Sequence, residues 1–133
     1  MIVHVGDSRI YHISSRLEQL TLDHTFIARE ISKGTMTIEQ AKTDKRRNLL
    51  LQCVGASKVV EPDVLTGRTN KGVYLLCSDG FRHEITETEM FESLNPINLM
   101  NKEAMHSNAK YLIEQVKTRG EKDNISVILI KVE

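Results

Sequence analysis

Three aspartates stand in the same kind of place in this chain, where an apolar, strand-like run gives way to a turn containing glycine or asparagine. They are Asp7 in Gly6-Asp7-Ser8-Arg9, Asp79 in Ser78-Asp79-Gly80, and Asp123 in Gly120-Glu121-Lys122-Asp123-Asn124. Strand ends at one rim of a sheet gather residues distant in sequence, so these carboxylates are placed to converge. Two or three carboxylates within a few ångströms repel one another. A hard divalent cation relieves that repulsion, since Mg²⁺ and Mn²⁺ take oxygen ligands in octahedral geometry. The competing reading is that Asp and Gly simply make turns, their commonest use, and the pattern alone leaves both open.

The elements that must position these residues follow from periodicity. Ile2 to Val5 and Arg9 to Ile13 alternate as strands around the Gly6-Asp7-Ser8 turn, which predicts a hairpin. A third strand over Leu17–Leu22 completes an antiparallel meander. A strand at residue two normally has a partner earlier in a chain, so sequence upstream is expected. From Asp23 to Arg47 the character turns helical: Phe26, Ile27, Ala28 and Ile31 recur at helical spacing, Gly34 offers a left-handed stop, and Thr37-Ile38-Glu39-Gln40 fits a capping box. The basic run from Lys42 to Arg47 reads as a solvated loop or helix end, with a phosphate-contacting flap as the alternative.

Strands are expected over Asn48–Val54 and Val59–Thr69, joined by Gly55-Ala56-Ser57, and over Val73–Cys77, buried on both faces. Thr86-Glu87-Thr88-Glu89 is a second capping box, opening a helix that Asn95-Pro96 ends. A longer helix from Lys102 to Thr118 carries Met105, Ala109, Leu112, Ile113 and Val116 on one face and is closed by Gly120. The last strand, Ile125 to Val132, is apolar on both sides, as in the middle of a sheet. Together these elements predict an α+β fold in which antiparallel sheets pack face to face with helices outside.

Composition bounds the rest. With 133 residues, 40% hydrophobic and 27% charged, the chain has one domain's worth of core. Eighteen basic residues balance eighteen acidic ones, so the net charge of zero gives no attraction to nucleic acid or to an anionic membrane surface. The longest apolar run, Ile125 to Ile130, is far too short to span a bilayer, and no cationic leader precedes an apolar segment, which together predict a soluble, cytoplasmic protein. Cys53 and Cys77 lie in apolar strings and are expected to be reduced core thiols.

Taken in order, Val5-Gly6-Asp7-Ser8-Arg9-Ile10-Tyr11, Leu20-Thr21-Leu22-Asp23-His24, Arg47-Asn48-Leu49, Val60-Glu61-Pro62-Asp63, Leu75-Leu76-Cys77-Ser78-Asp79-Gly80-Phe81 and Asp123-Asn124-Ile125-Ser126-Val127 resemble the metal-dependent serine/threonine protein phosphatases of type 2C (PPM), bacterial kind. The resemblance covers essentially the whole chain but only the C-terminal part, roughly half, of that family's catalytic domain. It implies an α-β-β-α sandwich, incomplete at its N-terminus, forming a single domain over residues 1–133. It implies Asp79 and Asp123 as ligands of a binuclear Mn²⁺ or Mg²⁺ centre, and Asp7 as a residue that helps Asp79 hold a third ion. Gly80 then supplies backbone next to the metals, while Gly6, Ser8, Arg9, Ser78 and Asn124 support the motifs. Residues 23–48 match a flap segment involved in substrate handling. In the family, two ions activate a bridging water that attacks the phosphorus of phosphoserine or phosphothreonine proteins in line, with no covalent phosphoenzyme.

The departures from the family pattern are equally specific. Its first acidic ligand, its Asp-Gly-x-Gly-Gly segment and its phosphate-holding arginine precede the first strand seen here, and no such segment occurs in this sequence. Gln52 and Cys53 stand where a Thr-Arg or Arg-Ala type pair is usual, and Arg82-His83-Glu84 replaces the common Thr-Asp. His24 and His83 are open to two readings, as ligands or proton donors and as loop or surface histidines without function; the second is expected, since the family's hard-metal site uses oxygens. Two functions are therefore expected: a Mn²⁺/Mg²⁺-dependent protein serine/threonine phosphatase, weakly active or inactive as this chain alone, or a non-catalytic phosphatase remnant. The remnant would act as a binding or oligomerisation module, dimerising through an apolar sheet face left uncovered by the missing strands.

Overall fold

The computed structural model describes residues 1–56 and 58–133; Ser57, at the expected joint between two strands, lies outside the described residues. In chain order the elements are β1 (Ile2–His4), β2 (Arg9–Ile13), β3 (Leu17–Gln19), α1 (Phe26–Ser32), α2 (Ile38–Thr43), β4 (Asp63–Leu65), β5 (Gly72–Cys77), α3 (Asp79–Arg82), α4 (Glu87–Leu94), a 3₁₀ turn (Pro96–Asn98), α5 (Lys102–Thr118) and β6 (Val127–Val132). These form two compact units, one of residues 1–7 and 22–67, the other of residues 8–21 and 68–133. The α+β class with antiparallel sheets and helices is as expected.

The larger unit is built on a four-stranded antiparallel sheet of order β3-β2-β5-β6. Alternation decides which face is buried. Tyr11 and Ile13 on β2 and Val73, Leu75 and Cys77 on β5 point into a core completed by Phe81, Ile85, Met90, Leu94, Leu99, Leu112 and Val116 from the helices. On the opposite face Tyr74 and Leu76 are half-buried, so β5 is sequestered on one side and partly covered on the other. Cys77 belongs to this core, whereas Cys53, in the other unit, is half-buried and outside it.

Four of the expected strand arrangements differ. The β1–β2 hairpin does not form: β1 pairs instead with β4, because both edges of β2 are occupied by β3 and β5. The run expected as a strand over Asn48–Val54 makes a single bridge, Leu50 to Thr25, and the run over Val59–Thr69 yields only β4; Leu49, Leu50 and Leu51 are exposed and have no buried face to alternate against. The last strand is an edge of its sheet rather than its middle. Its apolar run is divided between Val127 and Leu129, which pack on the core, and Ile128 and Ile130, which remain 58% and 49% exposed.

The helix signals perform as their chemistry dictates. Thr37 and Thr86 each accept from the backbone N–H three residues on, while Gln40 and Glu89 reach back to the N-cap amides, so both capping boxes are closed. Gly34 and Gly120 adopt left-handed conformations just past α1 and α5. Asn95 ends α4 and caps the 3₁₀ turn that begins at Pro96. In the smaller unit the basic run folds back on itself: Arg46 pairs with Asp44 and lies 4.1 Å from the centre of the Phe26 ring, and Lys42 bonds Glu39. No helix among the described residues is long and apolar enough to cross a membrane.

Helices α4 and α5 are tied by Arg119, whose guanidinium grips the Glu89 carboxylate and donates to the Glu84 carbonyl at 2.8 Å. The Arg119 guanidinium, with the amide and hydroxyl of Thr86, holds the Glu89 carboxyl down to about 2, well below its ordinary 4.5. A carboxyl with a depressed folded-state pKa stabilises above its unfolded value, and that contribution is lost as pH falls through the folded one. The melting-temperature advantage of the parent over Glu89→Gln is therefore expected to be complete near pH 7 and to shrink from about pH 4.5 toward pH 2. A difference independent of pH in thermal unfolding would refute this account.

Candidate metal centre

The end of β5 and the start of β6 lie side by side, with Cys77 in register with Val127 and, on the other side of β5, with Arg9. Past that rim the ladder is continued by Ser78. Its N–H donates to the Ser126 carbonyl, its hydroxyl donates to the Asn124 carbonyl and accepts from the Ser126 N–H, each at 3.1 Å. A small hydroxyl that both donates and accepts is what this junction needs, because it satisfies two backbone groups where the strands part.

Asp79 then opens α3, the short helix that the strand-then-turn reading of the sequence did not anticipate, and its Oδ1 accepts the Gly80 N–H at 2.9 Å. Gly80 is buried against the opposite loop. A Cβ added there would stand 2.5 Å from the Asn124 carbonyl oxygen and 3.3 Å from the Asp123 Cβ, so glycine is required by the closeness of the two chains. The loops bearing Asp79 and Asp123 are thus pressed together.

The Asp123 loop is shaped by a residue that the spacing argument passed over. Glu121 Oε1 accepts the N–H groups of Lys122 and Asp123 at 2.7 and 2.8 Å, while its Oε2 meets His83 Nδ1 at 3.2 Å. These bonds, the Asp123 amide foremost, hold the Glu121 carboxyl below the usual glutamate range. The legible signal was an acidic side chain at the head of the short Gly120-to-Asn124 turn, of the kind that bonds the backbone amides just after it. Asp123 Oδ1 accepts the Asn124 N–H at 2.7 Å. Among the described residues nothing donates to the second carboxylate oxygen of Asp79 or of Asp123.

Asp7 belongs to the smaller unit, half-buried after Gly6, whose φ of 106° is left-handed and whose backbone is bonded to His24. Ser8, exposed, and Arg9, which donates to the Tyr11 hydroxyl at 3.0 Å, belong to the larger unit. Among the described residues no group of three or more His, Cys, Asp and Glu stands close enough to hold a metal ion. The donor type nevertheless fits a hard cation: two loops in contact, each with a carboxylate oxygen to spare, match the one or two carboxylates, with water elsewhere, that Mg²⁺-like ions accept. Gly80→Ala is expected to force the loops apart at a cost of about 1–3 kcal/mol in urea unfolding; unchanged stability would mean the close approach does not constrain the fold.

No family model matches the chain. Among curated proteins it is 35% identical to the serine/threonine phosphatase Stp of Listeria monocytogenes over 134 aligned positions, covering 98% of this chain and 51% of that protein. Among solved structures, a serine/threonine phosphatase of S. agalactiae superimposes with a TM-score of 0.87 at 28% identity, over 98% of this chain and 53% of that one. The catalytic domain of the phosphatase PstP, solved in complex with two manganese ions, superimposes with a TM-score of 0.70 at 29% identity, over 96% and 50%. The chain spans about half the length of the phosphatases it matches. In sequence and in fold, then, it is a relative of the bacterial PPM serine/threonine phosphatases, corresponding to about half of one.

Proposed function

We propose that this chain serves protein serine/threonine phosphatase chemistry in a cytoplasmic setting, supplying Asp79 and Asp123, with Asp7, as ligands of divalent cations, Mn²⁺ or Mg²⁺. The observation that carries the reading is the closure of the Asp79 and Asp123 loops onto each other through Ser78 and Gly80. The named activity of the relatives supports it. When bound, such a cation supplies Lewis-acid charge and lowers the pKa of water next to a phosphoryl group. The chain's own contribution is positional. Ser78 and Gly80 hold the two carboxylates in place, and Glu121 orders the Asp123 backbone. Segment 23–48, with α1 and α2, acts as the flap that handles phosphoserine and phosphothreonine proteins.

Calorimetric titration with Mn²⁺ is expected to show binding that Asp79→Asn and Asp123→Asn each weaken by at least about tenfold, the loss of one charge-assisted ligand. Hydrolysis of a phosphothreonine peptide by this chain alone is expected to be very low. Equal Mn²⁺ affinity in parent and variants would overturn the assignment of the ligands.

A second reading is favoured by the open edge of the four-stranded sheet. Among the described residues strand β6 has no partner on its outer side, and it exposes Ile128 and Ile130, an arrangement that recruits other polypeptides. A second copy of the chain would cover it. Sedimentation is then expected to show a dimer that Ile128→Lys together with Ile130→Lys dissociates; a parent that stays monomeric at high concentration removes this reading.

A further inference from the structure

Both main-chain groups of Gly6, the residue before Asp7, are bonded to one side chain's residue. The His24 N–H donates to the Gly6 carbonyl at 2.8 Å, and the Gly6 N–H donates to His24 Nδ1 at 3.4 Å. A backbone N–H can only donate, so Nδ1 is an acceptor and the ring proton sits on Nε2. That proton is directed at Asp63 Oδ2, 3.0 Å away. The other walls are fixed too. His4, 6% exposed, lies with its ring centre 5.0 Å from that of His24 and bonds the Leu22 carbonyl through Nε2 at 3.1 Å. Asp63 is itself set in β4 opposite His4.

An imidazole that only filled space would leave one nitrogen idle, whereas here Nδ1 accepts from the Gly6 N–H and Nε2 carries the ring proton toward Asp63. The bond from His24 N–H to the Gly6 carbonyl fixes the plane of the Gly6–Asp7 peptide, and the bond to Nδ1 fixes the plane before it. Gly6 is in the left-handed region, where the backbone has many alternatives to lose and needs outside bonds to stay.

We propose that His24, oriented by Asp63, is a positioning residue for the Gly6–Asp7 turn and so for Asp7 as a cation ligand; the last step rests on the metal reading above. The test uses the whole chain. Amide hydrogen exchange without metal reads the turn, and broadening of the Asp7 amide resonance during Mn²⁺ titration reads the ligand. His24→Leu is expected to speed Gly6 exchange about fivefold, the weight of one hydrogen bond, and to move the Mn²⁺ response of Asp7 to higher concentration. His24→Asn, whose carbonyl oxygen stands near the position of Nδ1, is expected to restore most of both. Asp63→Ala, at a half-exposed position, gives the same change in smaller degree and serves if His24→Leu does not fold. Unchanged Gly6 exchange in these variants overturns the proposal whatever the metal does. An Asp7 amide untouched by Mn²⁺ in the parent overturns the metal reading and with it the final step, and is told apart by the Gly6 exchange measured without metal.

Discussion

The place on which the candidate site depends is a few ångströms wide: the junction where the ends of β5 and β6 part and Gly80 meets the Asn124 carbonyl. Strands in a sheet are held apart by ladder spacing, and loops beyond them normally diverge. Here the Ser78 hydroxyl takes over the ladder for one more step, using both its donor and its acceptor capacity on the Asn124 carbonyl and the Ser126 amide. Gly80 then lets the α3 backbone approach where any side chain would collide. Two acidic residues from segments far apart in sequence are delivered to neighbouring loops by these two small residues.

The two compact units reach order by different means. The larger has a contiguous apolar core from Tyr11 to Val116, of the kind that normally dominates folding free energy. In the smaller unit the buried residues include His4, Asp23 and Thr25, so its interior is organised by polar contacts. Buried polar groups must be matched to partners, which makes such a network geometrically exacting. That difference explains why the turn before Asp7 is defined by an imidazole and a carboxylate, while the Asp79 and Asp123 loops inherit their placement from a sheet and its core.

The associative reading proposed above rests on the outer edge of β6, which among the described residues has no strand beside it. An unpaired strand with alternate isoleucines exposed is a surface that water covers poorly and another polypeptide covers well. Catalytic and associative readings of the chain are thus attached to different parts of it, the first to the rim where β5 ends and β6 begins, the second to the outer side of β6.

What the sequence by itself determined was local. Capping boxes at Thr37 and Thr86, helix stops at Gly34 and Gly120, and the apolar stripe of α5 are all written in residues within a few positions of one another, whereas the turn read at Asp79-Gly80 is the start of α3. Resemblance to a family added the ligand assignments, which turn chemistry alone left open. Tertiary structure decided the rest. Ile2 to Val5 reads as one arm of a hairpin, yet its partner is β4, because the neighbouring places on β2 were already filled by β3 and β5. Ile125 to Val132 reads as a central strand, yet it lies at an edge, since an apolar run records side-chain character and not how many neighbours the sheet supplies. Glu121 and His24 drew no attention as positioning groups for the same reason: a hydrogen-bond partner is chosen by where the folded backbone brings a donor, and that is a property of three dimensions.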